Sequence, residues 1–302
     1  MGLLRLLALT LCALLAACDR PQDAALPLDY RTTPAAETTP LYRFAVHPLH
    51  NPNKLAEAYQ PLIDLLNASI PEARFELEAS RDYQAYEAKY RARGPEFLLP
   101  NPWQSLQAMK LGYRVIAMAG DAEDFRGLFI VRRDSPIRHP ADLKGKRVGY
   151  PSPTALAACI MPQYFLHENG IDINHDIENS YVGSQESAIM SAYLGHTAVA
   201  ATWPPPWRLF LRDHPAEAAQ LRVLWETEPL LNNSVMVRNN VPEPIVQAVR
   251  NILLKLEDSD SGQLVLAAMA TARFHFADDT TYQVVDAYIR RFEQEVRPVE
   301  QR

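Results

Sequence analysis

The sequence predicts an α/β fold arranged in two units, and three observations carry that expectation. Short apolar runs alternate with longer amphipathic stretches along most of the chain, the pattern of strands and helices taken in turn. The length of 302 residues exceeds what one core of about 100–200 residues holds, and 48% hydrophobic against 22% charged residues is an ordinary globular balance. The charged segment Arg133-Asp134-Ser135-Pro136 then divides the alternation into a first and a second series.

In the first series, Tyr42–Val46 reads as a strand. Lys54–Ser69 reads as a helix with Leu55, Tyr59, Leu62, Ile63 and Leu66 on one face. Phe75–Ala79 alternates strictly, Asp82–Arg93 is helical, Glu96–Leu99 is a buried strand, Trp103–Leu111 a helix and Tyr113–Met118 a strand. Gly127–Arg132 follows as a strand. The second series opens at Leu143, with a strand over 146–150, a helix over Ala155–Asn169 closed by Gly170, and a strand over Glu178–Val182. A helix over Gln185–Leu194, a strand over Ala198–Trp203 and a stiff break at Pro204–Pro206 come next. Leu221–Trp225 and Asn233–Arg238 are strands, and helices over Glu243–Asp258 and Thr281–Gln294, with no strand of their own, are expected to pack back on the first unit.

The first 17 residues carry one positive charge, Arg5, and then the apolar run Leu6–Leu15, too short for the roughly 20 residues of a membrane span. They read as a secretory signal, residues 1–17. The end of this segment, Leu15-Ala16-Ala17-Cys18, resembles the bacterial lipobox, which implies cleavage before Cys18 and lipid on that cysteine; an ordinary signal cut after small residues is the alternative. Residues 18–40, with Pro21, Pro27, Pro34 and Pro40 and no packable periodicity, read as a flexible tether. Asp19 after the lipidated cysteine implies, on the same resemblance, retention at the periplasmic face of the inner membrane. Cys159 stands alone in the body of the chain and reads as an inert core thiol.

Three segments in order resemble the phosphonate-type solute-binding proteins of ABC transporters: Phe44–Lys54 with Tyr59–Leu62, Asp142–Gly149 leading to Met161-Pro162 and Gly170–Asp172, and Val182–Ile189. The resemblance implies the two-lobe type II periplasmic-binding-protein fold, with lobe 1 formed by residues 41–130 and 231–302 and lobe 2 by 131–230. It also implies two crossing hinge segments, near Phe129–Arg133 and Thr227–Asn233, and a small, anionic ligand between the lobes, where strand ends and helix starts converge.

On that resemblance the candidate ligand-binding residues are His50 and Asn51 in the first strand-to-helix loop, Trp103 as an aromatic wall, and Arg126 as the cationic contact. Thr154 and Ala155 at a helix start, Ser184 and Gln185 at the next, and Trp203 after a buried strand complete the set. Thr154, Ser184 and Gln185 read equally as helix caps, Trp203 as hinge filling, and Arg126 as an exposed surface charge. The chain departs from the family pattern where a Ser-Thr-Ser-Gly run is usual: it has Ala155-Leu156-Ala157-Ala158 there, and Gln185 where a His is usual. The loss of these hydroxyl donors predicts weak binding of alkylphosphonates, or none, and favours a smaller or less charged ligand.

A net charge of −6, from 30 Lys and Arg against 36 Asp and Glu, with no basic stripe, argues against nucleic acid. No nucleophile-elbow, zincin, dinucleotide or P-loop motif is present, and no metal or cofactor is expected. The expectation is a non-enzymatic, monomeric binding protein, tethered through Cys18, that serves an ABC permease. The alternative is a sensor of the same fold that docks on a membrane histidine kinase without transport.

Overall fold

The computed structural model describes residues 39–300; Cys18, Asp19 and the segments expected as signal and tether lie almost wholly outside them. The central strands form where apolar residues are buried on both faces, and the helices where one stripe is. β1 (Leu41–Val46) leads into α1 (Pro52–Ser69), whose buried Leu55, Ala58, Tyr59, Leu62, Ile63 and Leu66 follow the helical period. Asn51 caps that helix by accepting from Lys54 N at 3.1 Å. β2 (Arg74–Glu78), α2 (Tyr83–Arg91), β3 (Phe97–Leu99), α3 (Pro102–Met109) and β4 (Tyr113–Ala119) follow.

The chain then enters a second sheet with β5 (Leu128–Arg132), β6 (Arg147–Tyr150), a wide π-helical turn Leu156–Ile160 running into α4 (Met161–Glu168), and β7 (Glu178–Tyr181). α5 (Gln185–Tyr193), β8 (Val199–Thr202), α6 (Pro204–Asp213), α7 (Pro215–Ala218) and β9 (Leu221–Glu226) complete it. β10 (Ser234–Arg238) returns to the first sheet, followed by α8 (Glu243–Leu254), α9 (Asp260–Ala268), β11 (Phe274–His275) and α10 (Gln283–Glu295).

The first sheet has the order β11-β4-β10-β3-β1-β2 and the second β7-β6-β8-β5-β9. β1 pairs parallel with β2 and β3, while the returning β10 inserts antiparallel between β3 and β4. No helix among the described residues is long and apolar enough to cross a membrane.

Four local expectations are corrected. Because β5 pairs with β8 and β9, Phe129–Arg133 lies inside the second sheet and the first crossing runs over 120–127, which moves the sheet boundary ahead of 128. Pro204–Pro206 opens α6 rather than breaking the chain, since the first turn of a helix has no use for the missing N–H groups. The C-terminal region holds α9 and contributes β11 to the sheet edge beside β4. The helix expected from Ala155 begins with the wide turn at Leu156.

The two crossings are fastened to each other. Gly127 N donates to Thr227 Oγ1 at 2.8 Å, Thr227 N donates to Gly127 O at 2.9 Å, and Leu230 N donates to Phe125 O at 2.9 Å. Gly127 also sits so close to the second sheet's helix start that a Cβ there would lie 2.8 Å from Ala157 O and 2.8 Å from Pro162 Cγ. A short, paired hinge of this kind confines relative motion of the sheets to a few residues.

Candidate functional site

The carboxyl ends of β1, β3, β6 and β8 lead into loops and helix starts that face one another between the sheets, the place where open α/β sheets bind ligands. From the first sheet come His47 after β1, Tyr83 on α2, Asn101 before α3 and Asn233 before β10. From the second come Ala155–Ala158, Gln185 at the start of α5, and Trp203 after β8. The free space among them is about 190 Å³ counted to its open mouth, and its lining residues include no Lys or Arg. Only about 10 Å³ of it is open to a water-sized sphere, about enough for one water, so a ligand enters only when the two sides part.

The two sides of this cleft are joined by hydrogen bonds. Asn101 caps α3, with Oδ1 accepting from Gln104 N at 3.0 Å, and its Nδ2 donates across the cleft to Thr154 O at 3.0 Å. Thr154 Oγ1 donates to Glu87 Oε1 at 2.6 Å, and Gln104 Nε2 donates to the same oxygen at 3.2 Å. Gln185 Nε2 donates to Tyr83 OH at 3.2 Å, while Gln185 Oε1 accepts from Thr202 Oγ1 at 2.9 Å. Every one of these side chains is buried. The polar groups are thereby paired, as buried groups must be, and the cleft is closed.

At the rim lies a second, wetter set. Lys54 Nζ meets Asp213 Oδ2 at 2.8 Å and Glu186 Oε2 at 3.8 Å, Asn51 Nδ2 donates to Glu186 Oε2 at 3.5 Å, and His214 Nε2 lies 2.9 Å from Glu186 Oε1. His50 lines the hollow beside them. Burial pushes the His50 imidazole down to about 4, with Lys54 adding to the effect. Arg212 and Lys54 hold the Asp213 carboxyl down at about 2. Burial raises the Glu87 carboxyl, opposed by the bonds from Thr154 and Gln104 and by the Arg91 charge.

Of the residues expected at the site, Ala155, Gln185 and Trp203 line the cleft, Thr154 bonds across it, and His50 and Asn51 stand at the rim. Thr154 is not the helix cap: Ala155 holds that position, and the Thr154 hydroxyl is turned to Glu87. Ser184 caps α5 by accepting from Ser187 N at 3.1 Å. Arg126 pairs with Glu226 at 2.5 Å and bonds the Glu123 carbonyl, so its charge is used on the hinge. Trp103 is 1% exposed and faces away from the cleft, walling a groove with Leu106, Ile289 and Glu293 between α3 and α10. Its place at a helix start directs the ring onto the C-terminal helix. Cys159 is buried, and burial raises its thiol to about 12.

The model of the family "ABC transporter, phosphonate, periplasmic substrate-binding protein" matches residues 44–282. The chain belongs to this family. A curated relative, described as a probable ABC transporter phosphite binding protein, PhnD1 of Prochlorococcus marinus strain MIT 9301, is 21% identical over 190 residues, 59% of this chain. The match spans 64% of that relative's length. Among solved structures, a binding protein component of an ABC phosphonate transporter from Pseudomonas aeruginosa aligns with TM-score 0.79 and 16% identity, over 85% of this chain and 88% of that one. PhnD1 of P. marinus in complex with methylphosphonate aligns with TM-score 0.77 and 18% identity, over 84% and 98%. These likenesses establish the two-sheet α/β fold of periplasmic binding proteins for this chain.

Sequence reasoning missed His47, Tyr83, Glu87, Asn101 and Asn233. Two of them left a signal: Glu87 is a carboxylate on the same helix face as Tyr83, Tyr86 and Tyr90, and Asn101-Pro102-Trp103-Gln104 has the spacing of a capping box.

Proposed function

We propose that this chain is an extracytoplasmic solute-binding protein that captures a small anionic ligand between two lobes and delivers it to an ABC permease, performing no chemistry itself. The lobes are the two sheets with their helices, and the protein works as a monomer. The observation that carries this reading is the cleft at the converging strand ends, where the start of the Leu156 helix, whose first N–H groups have no intrahelical partner, lines one hollow with Asn101, Asn233 and His47. With Ala155, Leu156 and Ala157 where family members commonly place hydroxyls, and no cationic side chain in the lining, the site suits a compact ligand of at most one charge, held mainly by backbone dipoles. Entry requires the lobes to part and the Asn101–Thr154, Glu87–Thr154 and Gln185–Tyr83 bonds to break, so ligand contacts must replace them on closure.

The reading extends to the N-terminus: Cys18 carries lipid, the tether follows it, and Asp19 keeps the protein at the periplasmic face of the inner membrane. What supports this is Leu15-Ala16-Ala17-Cys18. Cys18→Ser should move the protein from the membrane to the soluble fraction, and mass spectrometry of the native N-terminus should find acyl chains on Cys18. An unmodified N-terminus beyond Cys18 rejects the anchor. For the ligand, calorimetric titration with phosphite, phosphate, alkylphosphonates, sulfate and small organic acids should give one site per chain for a compact monoanion. Tightest binding of an aminoalkylphosphonate would reject this view of the pocket.

A further inference from the structure

At the carboxyl end of β1, His47 is 2% exposed and lines the cleft beside Asn101, Ala155 and Asn233. Its Nδ1 lies 2.8 Å from the Leu99 carbonyl oxygen, an atom that can only accept, so Nδ1 carries the proton. The neutral ring then has a bare lone pair on Nε2, and burial keeps it neutral by lowering its pKa to about 4. The groups around the ring are the edges of Tyr83 and Tyr86 on α2, with ring centres 6.1 and 6.4 Å away, and His50 in its own loop. All three are uncharged at neutral pH, because burial raises both tyrosines and lowers His50. Among the described residues no donor reaches Nε2. Asn233, 3% exposed on the same side of the cleft, has its Oδ1 buried without a hydrogen-bond partner.

The two sides of the cleft therefore ask for different things. The second sheet's side offers N–H groups at the Leu156 helix start, which suit an anionic oxygen. The first sheet's side offers the His47 Nε2 lone pair and the orphaned Asn233 oxygen, which suit a donor. Resting on the reading of this cleft as the ligand site, we propose that His47 is a specificity-determining residue: it selects ligands that bring a hydrogen-bond donor to its Nε2, accepting a singly protonated phosphonate and rejecting a sulfonate of the same shape. A sulfonate has no proton to give, so its third oxygen meets the imidazole lone pair to lone pair and leaves His47 Nε2 and the buried Asn233 Oδ1 without a donor. Sites built to bond a donor discriminate strongly against analogues that lack it.

Methylphosphonate and methanesulfonate differ in little but that proton, and calorimetry at about pH 6, where the phosphonate keeps one proton, compares them. Methylphosphonate, though weak, should bind at least about tenfold tighter than methanesulfonate, and the preference should collapse to less than about threefold in His47→Gln, whose amide can turn a donor to the same place. Equal affinities for the wild-type protein overturn the proposal while leaving the oxyanion reading standing. Binding of neither anion overturns the proposal, and binding of none of phosphite, phosphate and sulfate either overturns the oxyanion reading with it. A readout that needs no ligand and no variant is the ¹⁵N spectrum of the His47 ring: Nδ1 protonated and Nε2 bare at neutral pH supports the proposal, and the opposite tautomer overturns it.

Discussion

Replacing Glu87 by alanine should open the ligand-free cleft. Glu87 reaches from α2 of the first sheet to Thr154 of the second, and the 2.6 Å bond from Thr154 Oγ1 ends on a carboxylate, which makes it a charge-assisted bond worth about 1.5–3 kcal/mol. The other bonds across the buried cleft, Asn101 to Thr154 O at 3.0 Å and Gln185 to Tyr83 at 3.2 Å, join neutral groups and contribute about 0.5–1.5 kcal/mol each. At the rim, Lys54 and Asp213 are partly exposed, so their pair adds only about 0.2–1 kcal/mol. Glu87 thus makes the strongest of these three bonds across the cleft, and its loss should shift the closed-to-open ratio by about 10- to 150-fold. Small-angle scattering of ligand-free protein should show a larger radius of gyration for Glu87→Ala, and the amides of Leu156–Ile160 should exchange faster. Thr154→Val removes the donor from the other side and should act in the same direction, with the double variant no worse than the stronger single one, because both remove one bond. Scattering and exchange unchanged in both single variants would refute the reasoning.

Other outcomes follow from the same contacts. Trp103→Ala should cost about 3–5 kcal/mol of stability in urea denaturation while leaving ligand affinity within about twofold, since the ring packs on the C-terminal helix and not in the cleft. Gly127→Ala should destabilise by about 1–3 kcal/mol, because its Cβ would sit 2.8 Å from Ala157 O and the hinge or the helix start has to move; an unchanged melting temperature contradicts that packing. His47 is neutral when folded, with its pKa lowered to about 4 against about 6.5 in an unfolded chain, so the folded state binds fewer protons. Its contribution is fully present above about pH 6.5 and declines by about 3 kcal/mol as the pH falls toward 4, a slope that urea titrations should find reduced in His47→Gln.

The strands and helices were legible wherever periodicity and burial agree. The Leu55–Leu66 stripe identified α1, and every strand except β11 was placed to within a residue or two. The crossing segments were harder, because Gly127–Arg132 reads the same whether it joins one sheet or the other, and only its pairing with β8 and β9 decides. Pro204–Pro206 misled because proline stops a helix in its interior and starts one at its first turn, and the sequence alone does not say which turn it occupies. Gln185 and Trp203 could be placed at the cleft from the sequence because they follow strand-to-helix transitions, which is where clefts form. Trp103 met the same criterion, but its direction depends on α10, about 180 residues further along the chain. Glu87 and Asn233 depend on partners from distant segments and have no local pattern beyond a carboxylate among tyrosines and an asparagine before a strand.

The central claim is that an anion binds in the cleft between Ala155–Ala158 and Gln185 on one side and Asn101 and Asn233 on the other. Gln185→Glu tests it most directly, because the change keeps the shape and preserves the Thr202 and Tyr83 bonds, the Tyr83 hydroxyl now donating, while placing a negative charge at the site. Calorimetry of the wild-type protein should give one-to-one binding of a compact oxyanion, and Gln185→Glu should weaken that binding at least about tenfold; the melting temperature should fall as well, because a carboxylate buried without a cation costs several kcal/mol, and circular dichroism should show the fold retained at the titration temperature. Oxyanion binding of undiminished strength in Gln185→Glu would contradict the account and place the ligand elsewhere.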